Sequence, residues 1–200
     1  MTDILYTLGK GLYVNLTNKC PCRCRFCIRE NGDGVGSAGN LWFEHDPTLK
    51  QVLEAFETVK LEDYEELIFC GYGEPTCALD TMLAVCRYVR GKSAIPIRLN
   101  TNGLGDLINK KETAPLFHGL IDTVSVSLNA PTKEAYLDVT RPSFGEKAFD
   151  AMLQFAVSCK GQVPHVQFTV VDVIPAEDIA ASQKLADGLG IPLRVRTYSD

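Results

Sequence analysis

The sequence predicts an α/β fold with parallel strands, and three observations carry that expectation. Short apolar runs rich in β-branched residues alternate with longer amphipathic segments along the whole chain. The amphipathic segments are long enough to cross over between parallel neighbours, and crossovers of one hand give a doubly wound sheet or an incomplete (βα) barrel. Polar and small residues, finally, collect where each predicted strand ends, the edge at which such folds place their chemistry.

Each element has a local reason. "LYVNLT" (12–17) alternates and reads as the first strand. A cysteine-rich segment and a glycine-rich loop follow. Residues 46–60 read as a helix, with Asp46 as N-cap and Pro47 at its first position. "EELIFC" (65–70) is a short apolar strand, and 77–91 a helix closed by Gly91. "IPIRLN" (95–100) is a strand with the turn signal "TNG" behind it. "LIDTVSVSLN" (120–129) is another strand, and 132–140 and 145–160 are helices. "PHVQFTVV" (164–171) and "IPLRVRT" (191–197) are strands flanking a helix over 176–190. Six strands result, two short of a closed eight-stranded barrel, so the expected architecture is an open partial (βα)6 TIM-like barrel. No repeat, low-complexity tract or linker interrupts it, and residues 1–200 read as one domain.

Bulk properties narrow the class. A chain of 200 residues buries roughly 70% of its unfolded surface, and a mean hydropathy near zero describes a globular protein. A formal net charge of −5 argues against a general nucleic-acid binder. The first residues lack the marks of a secretory signal, and no apolar run approaches the roughly 20 residues of a membrane span. The expectation is a cytoplasmic protein, whose thiols are held reduced.

That setting sharpens the question posed by "NLTNKCPCRCRFCIREN" (15–31), where Cys20, Cys22, Cys24 and Cys27 crowd together. Disulfides, a zinc knot and an iron–sulfur cluster all use such thiols. A structural zinc site favours four ligands in two pairs, and the remaining cysteines, Cys70, Cys77, Cys86 and Cys159, are single. Zinc is the weaker reading. Cys20, Cys24 and Cys27 are spaced Cx3Cx2C, and three thiolates can hold three irons of a cubane and leave the fourth open. The step from Cys20 to Cys22 is short for chelating the same cubane, so Cys22 is expected to point away.

With aromatic Phe26 just before the last cysteine, this motif resembles that of the radical S-adenosylmethionine (SAM) superfamily. "GYGEP" (71–75) is similar to the Gly-Gly-Glu-Pro motif of that superfamily, with Tyr72 between the glycines. "LNTNG" and "SVSLN" fall where its members contact SAM. The segment "CIRENGDGVGSAGNLW" resembles the short radical SAM proteins associated with TatD-type nucleases. The resemblance spans nearly the whole chain and implies a radical SAM core carrying a [4Fe–4S] cluster and SAM. It implies that Cys20, Cys24 and Cys27 ligate the cluster. Gly71 and Gly73 would admit the methionine ammonium, and Glu74 would supply negative charge. Ser127 and Asn129 would bind the ribose, Asn100 is a further SAM contact, and Phe26 would lie beside the adenine. Arg141, in "YLDVTRP", would reach the SAM carboxylate. The reaction implied is reductive cleavage of SAM to a 5′-deoxyadenosyl radical that takes hydrogen from a substrate, with the catalytic residues and the substrate unassigned. A small molecule, a peptide and a nucleoside remain open as substrate.

Plainer readings stand beside these. "GYGEPT" also suits a strand-to-helix turn, Ser127 and Asn129 also suit filling of a barrel, and Arg141 also suits a surface helix end. An iron–sulfur electron-transfer or redox-sensing module without SAM chemistry is the competing function. Such a module needs the cysteines but not the other motifs. "GDGVGSAG" trails the cysteines instead of linking strand to helix, which excludes a dinucleotide loop and leaves a mobile cap over the cluster side. Cys77 at a helix start would have a lowered pKa. His45, His118 and His165 have no metal-binding spacing, and Asp172 is the expected substrate contact. Lys19, Arg23, Arg25 and Arg29 form a basic patch suited to docking an acidic electron donor, a flavodoxin or ferredoxin, or to steering an anionic substrate.

Overall fold

A computed structural model describes residues 2–198. Seven strands form one sheet in sequence order: β1 (Leu5–Leu8), β2 (Gly11–Val14), β3 (Glu66–Phe69), β4 (Ile97–Thr101), β5 (Thr123–Ser127), β6 (His165–Val171) and β7 (Leu193–Arg196). β2 to β7 are parallel, and β1 pairs antiparallel with β2. The first and last strands do not pair, so the barrel is open as expected. The edge strand β1 is the one strand that the sequence reading lacked. Its two-residue turn to β2 begins at Gly9, whose φ of +59° suits a glycine.

The helices are α1 (Leu49–Phe56), α2 (Leu79–Arg90), α3 (Gly105–Asn109), α4 (Lys133–Thr140), α5 (Lys147–Cys159) and α6 (Ala176–Leu189). α1 starts later than expected. Thr48 is its N-cap, forming a capping box with Gln51, while Asp46 binds the Thr17 hydroxyl and the Lys19 ammonium instead. The segment opening at Cys77 is also revised: residues Pro75–Ala78 form a 3-10 turn and the α-helix begins at Leu79.

Register divides the sheet into two chemically different faces. Leu12, Leu67, Ile97, Val124 and Phe168 share one face with Val14, Phe69, Leu99, Val126 and Val170. These residues join the apolar stripes of α2 (Met82, Val85, Cys86, Val89) and α5 (Met152, Phe155, Ala156, Cys159) in one core. The inner face carries the rows Tyr13–Ile68–Arg98–Thr123–His165, Asn100–Ser125–Gln167 and Ser127–Thr169–Arg194. A barrel interior built only for stability is filled with branched apolar residues. This one is polar.

Candidate SAM and iron–sulfur site

The loop that leaves β2 carries all four motif cysteines and is fastened at both flanks. On one side the Arg23 and Arg25 amides donate to the Thr140 and Val139 carbonyls at 2.9 and 3.0 Å, and the Ser143 amide donates to the Pro21 carbonyl at 2.8 Å. The end of α4 therefore splints the motif. On the other side the Glu74 amide donates to the Lys19 carbonyl at 2.8 Å, joining the cysteine loop to the segment that leaves β3.

The glycines of "GYGEP" serve this junction. A Cβ on Gly73 would lie 2.1 Å from the Thr17 carbonyl oxygen, and one on Gly71 would lie 2.2 Å from the Asn15 side-chain oxygen. Glycine is required there because the two strand exits approach closely, Gly73 against the Thr17 and Lys19 backbone and Gly71 against the Asn15 side chain. Tyr72 turns away, and its hydroxyl donates to the Gly32 carbonyl at 2.6 Å.

Glu74 is 3% exposed. One carboxylate oxygen accepts from the Thr76 amide (3.1 Å), the Thr76 hydroxyl (2.8 Å) and the Thr101 hydroxyl (2.7 Å). The other accepts from the Asn102 amide at 2.7 Å. Burial raises its pKa, against these hydrogen bonds. The carboxylate thus ties the end of β3 to the end of β4, a role that the motif comparison did not include.

Asn102, which the sequence reading passed over in favour of Asn100, continues the chain of contacts. Its side-chain amide lies 3.9 Å from the Cys20 sulfur and 3.8 Å from the Cys22 sulfur, and its oxygen accepts from the Leu104 amide at 2.9 Å. The "NTNG" turn offered that signal, because an Asn that caps a turn also has two N–H donors to spare. Asn100 sits on the inner face against Cys70, where burial pushes the thiol up and the Asn100 side chain opposes that rise.

The thiols are not evenly placed. Cys22 is buried in the core, and its sulfur does not point away but lies between Cys20 and Cys24. Its hydrogen bonds draw the Cys20 and Cys24 thiols below the usual cysteine range, while the Cys22 thiol is itself pushed far up. Cys27 lies on the Tyr72 side of the same loop. Among the described residues, no set of three or more His, Cys, Asp or Glu side chains is gathered closely enough to hold a metal ion. Metal binding in this arrangement therefore involves rearrangement of the cysteine side chains.

The remaining expected contacts fall around the same rim. Ser127 ends β5 on the inner face. Asn129 lies beyond the strand with φ of +62°, and its buried side-chain oxygen has no partner. The Tyr136 hydroxyl of α4, with Cys20, Cys22 and Cys24 around it, is likewise buried and unpartnered. Buried polar atoms without partners are rare and call for an explanation. Phe26 is half-buried in the loop. Arg141 is exposed at the end of α4, in a left-handed conformation. Its guanidinium makes no ion pair or hydrogen bond among the described residues.

Other expectations are revised. Burial and the nearby Glu74 raise the Cys77 thiol to about 12, the reverse of activation at a helix start. Asp172 is exposed and accepts from the Tyr198 amide at 2.6 Å, so it ties down the chain after β7. The 32–42 loop is clasped, with Ser37 exchanging two hydrogen bonds with Thr7 of β1 and Leu41 buried against Tyr6 and Tyr72. In the basic patch, Lys19 pairs with Asp46, Arg25 pairs with Asp138, and Arg29 stacks on Trp42. Arg23 is exposed and forms no ion pair among the described residues.

An open parallel barrel with a cysteine loop at the carboxyl ends of its strands defines a class of cofactor-dependent domain. Comparison with known proteins agrees. The family model described as the Radical SAM superfamily matches residues 14–180, and the chain belongs to that superfamily, whose members use a [4Fe–4S] cluster and SAM. A GTP 3′,8-cyclase of Rhodococcus opacus is 26% identical over 148 residues, which is 70% of this chain and 38% of that protein. The chain thus spans well under half the length of this relative. Streptococcus suis SuiB bound to its precursor peptide SuiA superposes with a TM-score of 0.67 at 18% identity, covering 95% of this chain and 39% of SuiB. A SuiB structure bound to SAM superposes at 0.61. Kitasatospora setae TsrM, a radical SAM methyltransferase solved with cobalamin and a [4Fe–4S] cluster, superposes at 0.57 with 14% identity over 94% of this chain and 34% of TsrM. These likenesses establish the fold. No helix among the described residues is long and apolar enough to cross a membrane.

The residues present fit the two cofactors. Three thiols at the family spacing share one splinted loop, two of them already drawn toward thiolate. Two unpartnered buried oxygens lie at the same rim, on Asn129 beyond β5 and on Tyr136 beside Cys20, Cys22 and Cys24, and both are open to a hydrogen-bonding group.

Proposed function

We propose that residues 1–200 act as one catalytic domain that cleaves SAM reductively and uses the resulting radical to remove hydrogen from a substrate. The observation that carries this reading is the unbroken contact path Lys19–Glu74–Asn102–Cys20, which joins three separate motifs at one rim. An electron carrier needs only the cysteine loop; it has no use for a buried carboxylate and an amide that lock two further strand ends to it.

In this reading Cys20, Cys24 and Cys27 hold the cluster. Phe26, Gly71, Gly73, Asn100, Ser127, Asn129 and Arg141 surround SAM, while Glu74 acts by fixing the strand ends. A cluster held there would supply, once reduced, the single electron needed to cleave the C5′–S bond of SAM to methionine and a 5′-deoxyadenosyl radical. Arg141 is free to swing its guanidinium toward a carboxylate. The Asn129 oxygen is free to accept from a ribose hydroxyl, and the packed Tyr6–Leu41–Tyr72 cluster keeps water from the β1 side. An acidic flavodoxin or ferredoxin in the cytoplasm is the expected reductant, docking at Arg23 beside the loop.

The cluster spectrum tests this directly. After anaerobic reconstitution and reduction, addition of SAM should change the paramagnetic resonance spectrum of the cluster. A spectrum that forms but ignores SAM would support the electron-transfer module instead.

A further inference from the structure

The inner face carries charge that neither cofactor accounts for. Register places Arg98, Arg194 and Arg196 on it, because Arg98 lies in the row of Tyr13 and Ile68, and Arg194 lies in the row of Ser127 and Thr169. Alternation along β7 returns Arg196 to the same side and sends Val195 to the other, so the positive charge of this strand is presented inward only. Glu66 is the one carboxylate on the inner-face strand positions, and it pairs with Arg98 at 2.8 Å. Arg194 and Arg196 form no ion pair among the described residues. Arg98 and Arg194 line a common cavity of about 600 Å³ with Glu66, His165 and Gln167. Arg98 and Arg196 both act electrostatically on Cys70, just beyond the carboxyl end of β3.

Three guanidiniums face one carboxylate on this side of the sheet, Arg194 and Arg196 open to solvent, so the face carries net positive charge where a barrel interior usually carries apolar filling. Guanidinium groups are suited to phosphate and carboxylate, which they grip through paired N–H donors. We propose that the inner face between β4 and β7 binds the anionic part of the substrate, a phosphate or carboxylate group, through Arg98, Arg194 and Arg196. This rests on the proposed function, with the anion seated below the rim that holds SAM. The site selects substrates that carry their charge at one end and their reacting C–H at the other.

Isothermal titration of the reconstituted protein at low ionic strength, with inorganic pyrophosphate and separately with citrate, tests the proposal. Binding of either anion is expected. The Arg194→Gln/Arg196→Gln variant, altered only at exposed positions, should lose at least tenfold in affinity. Arg87→Gln, on the surface of α2, should lose none. Binding of pyrophosphate alone assigns a phosphate-bearing substrate, and binding of citrate alone a carboxylate-bearing one. Binding of neither anion, or binding to the double variant as tight as to the parent, overturns the site. Parent protein that cleaves SAM yet binds neither anion would overturn this site and leave the proposed function standing. Pyrophosphate binding through these arginines in protein that cleaves no SAM would do the reverse.

Discussion

Glu74→Ala separates a residue that builds the site from one that merely touches SAM. The carboxylate accepts four hydrogen bonds, two of them from the backbone amides of Thr76 and Asn102. The two hydroxyl donors can rotate toward other acceptors, but the two amides cannot. Each buried amide left without a partner costs about 1–3 kcal/mol, so the pair costs roughly 2–6 kcal/mol. A chain of this size loses about 2–4 °C in Tm per kcal/mol, which places the expected drop between about 4 and 24 °C. The assay is thermal unfolding of cluster-free protein in the absence of SAM, followed by circular dichroism. Melting of the variant at the parent temperature would refute the reasoning, because a residue needed only for SAM leaves the cofactor-free fold unchanged.

Other expectations follow from the same geometry. Gly73→Ala sets a Cβ against the Thr17 carbonyl and displaces the cysteine loop; iron and sulfide content after reconstitution should fall well below that of the parent. Cys22→Ala should keep full iron content, because the cluster spacing excludes Cys22, whereas Cys24→Ala should lose it. Asn102→Ala removes an N–H donor from the Cys20 sulfur, and hydrogen bonds to sulfur raise cluster potentials; the midpoint potential read by redox titration should move in the negative direction. Burial raises the folded-state pKa of Glu74 above its ordinary value of 4.5. The folded protein therefore holds that proton more tightly than the unfolded one, and the proton-linked part of the contribution of Glu74, separate from the amides that it satisfies, is fully present below pH 4.5 and is lost as pH rises through the folded pKa. Denaturant midpoints of parent and Glu74→Gln measured from pH 4.5 upward should differ in slope over that window.

The parallel strands were legible because each is a short apolar run bounded by polar or turn residues. The edge strand was harder. Leu5–Leu8 and Gly11–Val14 are separated only by Gly9 and Lys10, so one hairpin reads as an extended lead-in unless the glycine turn is recognised. Asp46 and Pro47 imitate a helix start, yet Asp46 is taken by Thr17 and Lys19, and the true cap is Thr48, two residues on, paired with Gln51. Sequence motifs located the rim but not the tasks on it. The glycines of "GYGEP" are set by close approach of Asn15 and Thr17, residues some 55 positions earlier, and local spacing carries no trace of that contact. The inward arginines were hidden for the same reason: only the register of β6 with β7 tells which face of "LRVR" looks into the barrel.

The most direct test of the radical SAM reading is anaerobic. Reconstituted protein is mixed with SAM and dithionite, and 5′-deoxyadenosine is sought by mass spectrometry. The account predicts 5′-deoxyadenosine in the parent and none in Cys24→Ala. A reducible cluster that binds no SAM and yields no 5′-deoxyadenosine would contradict it.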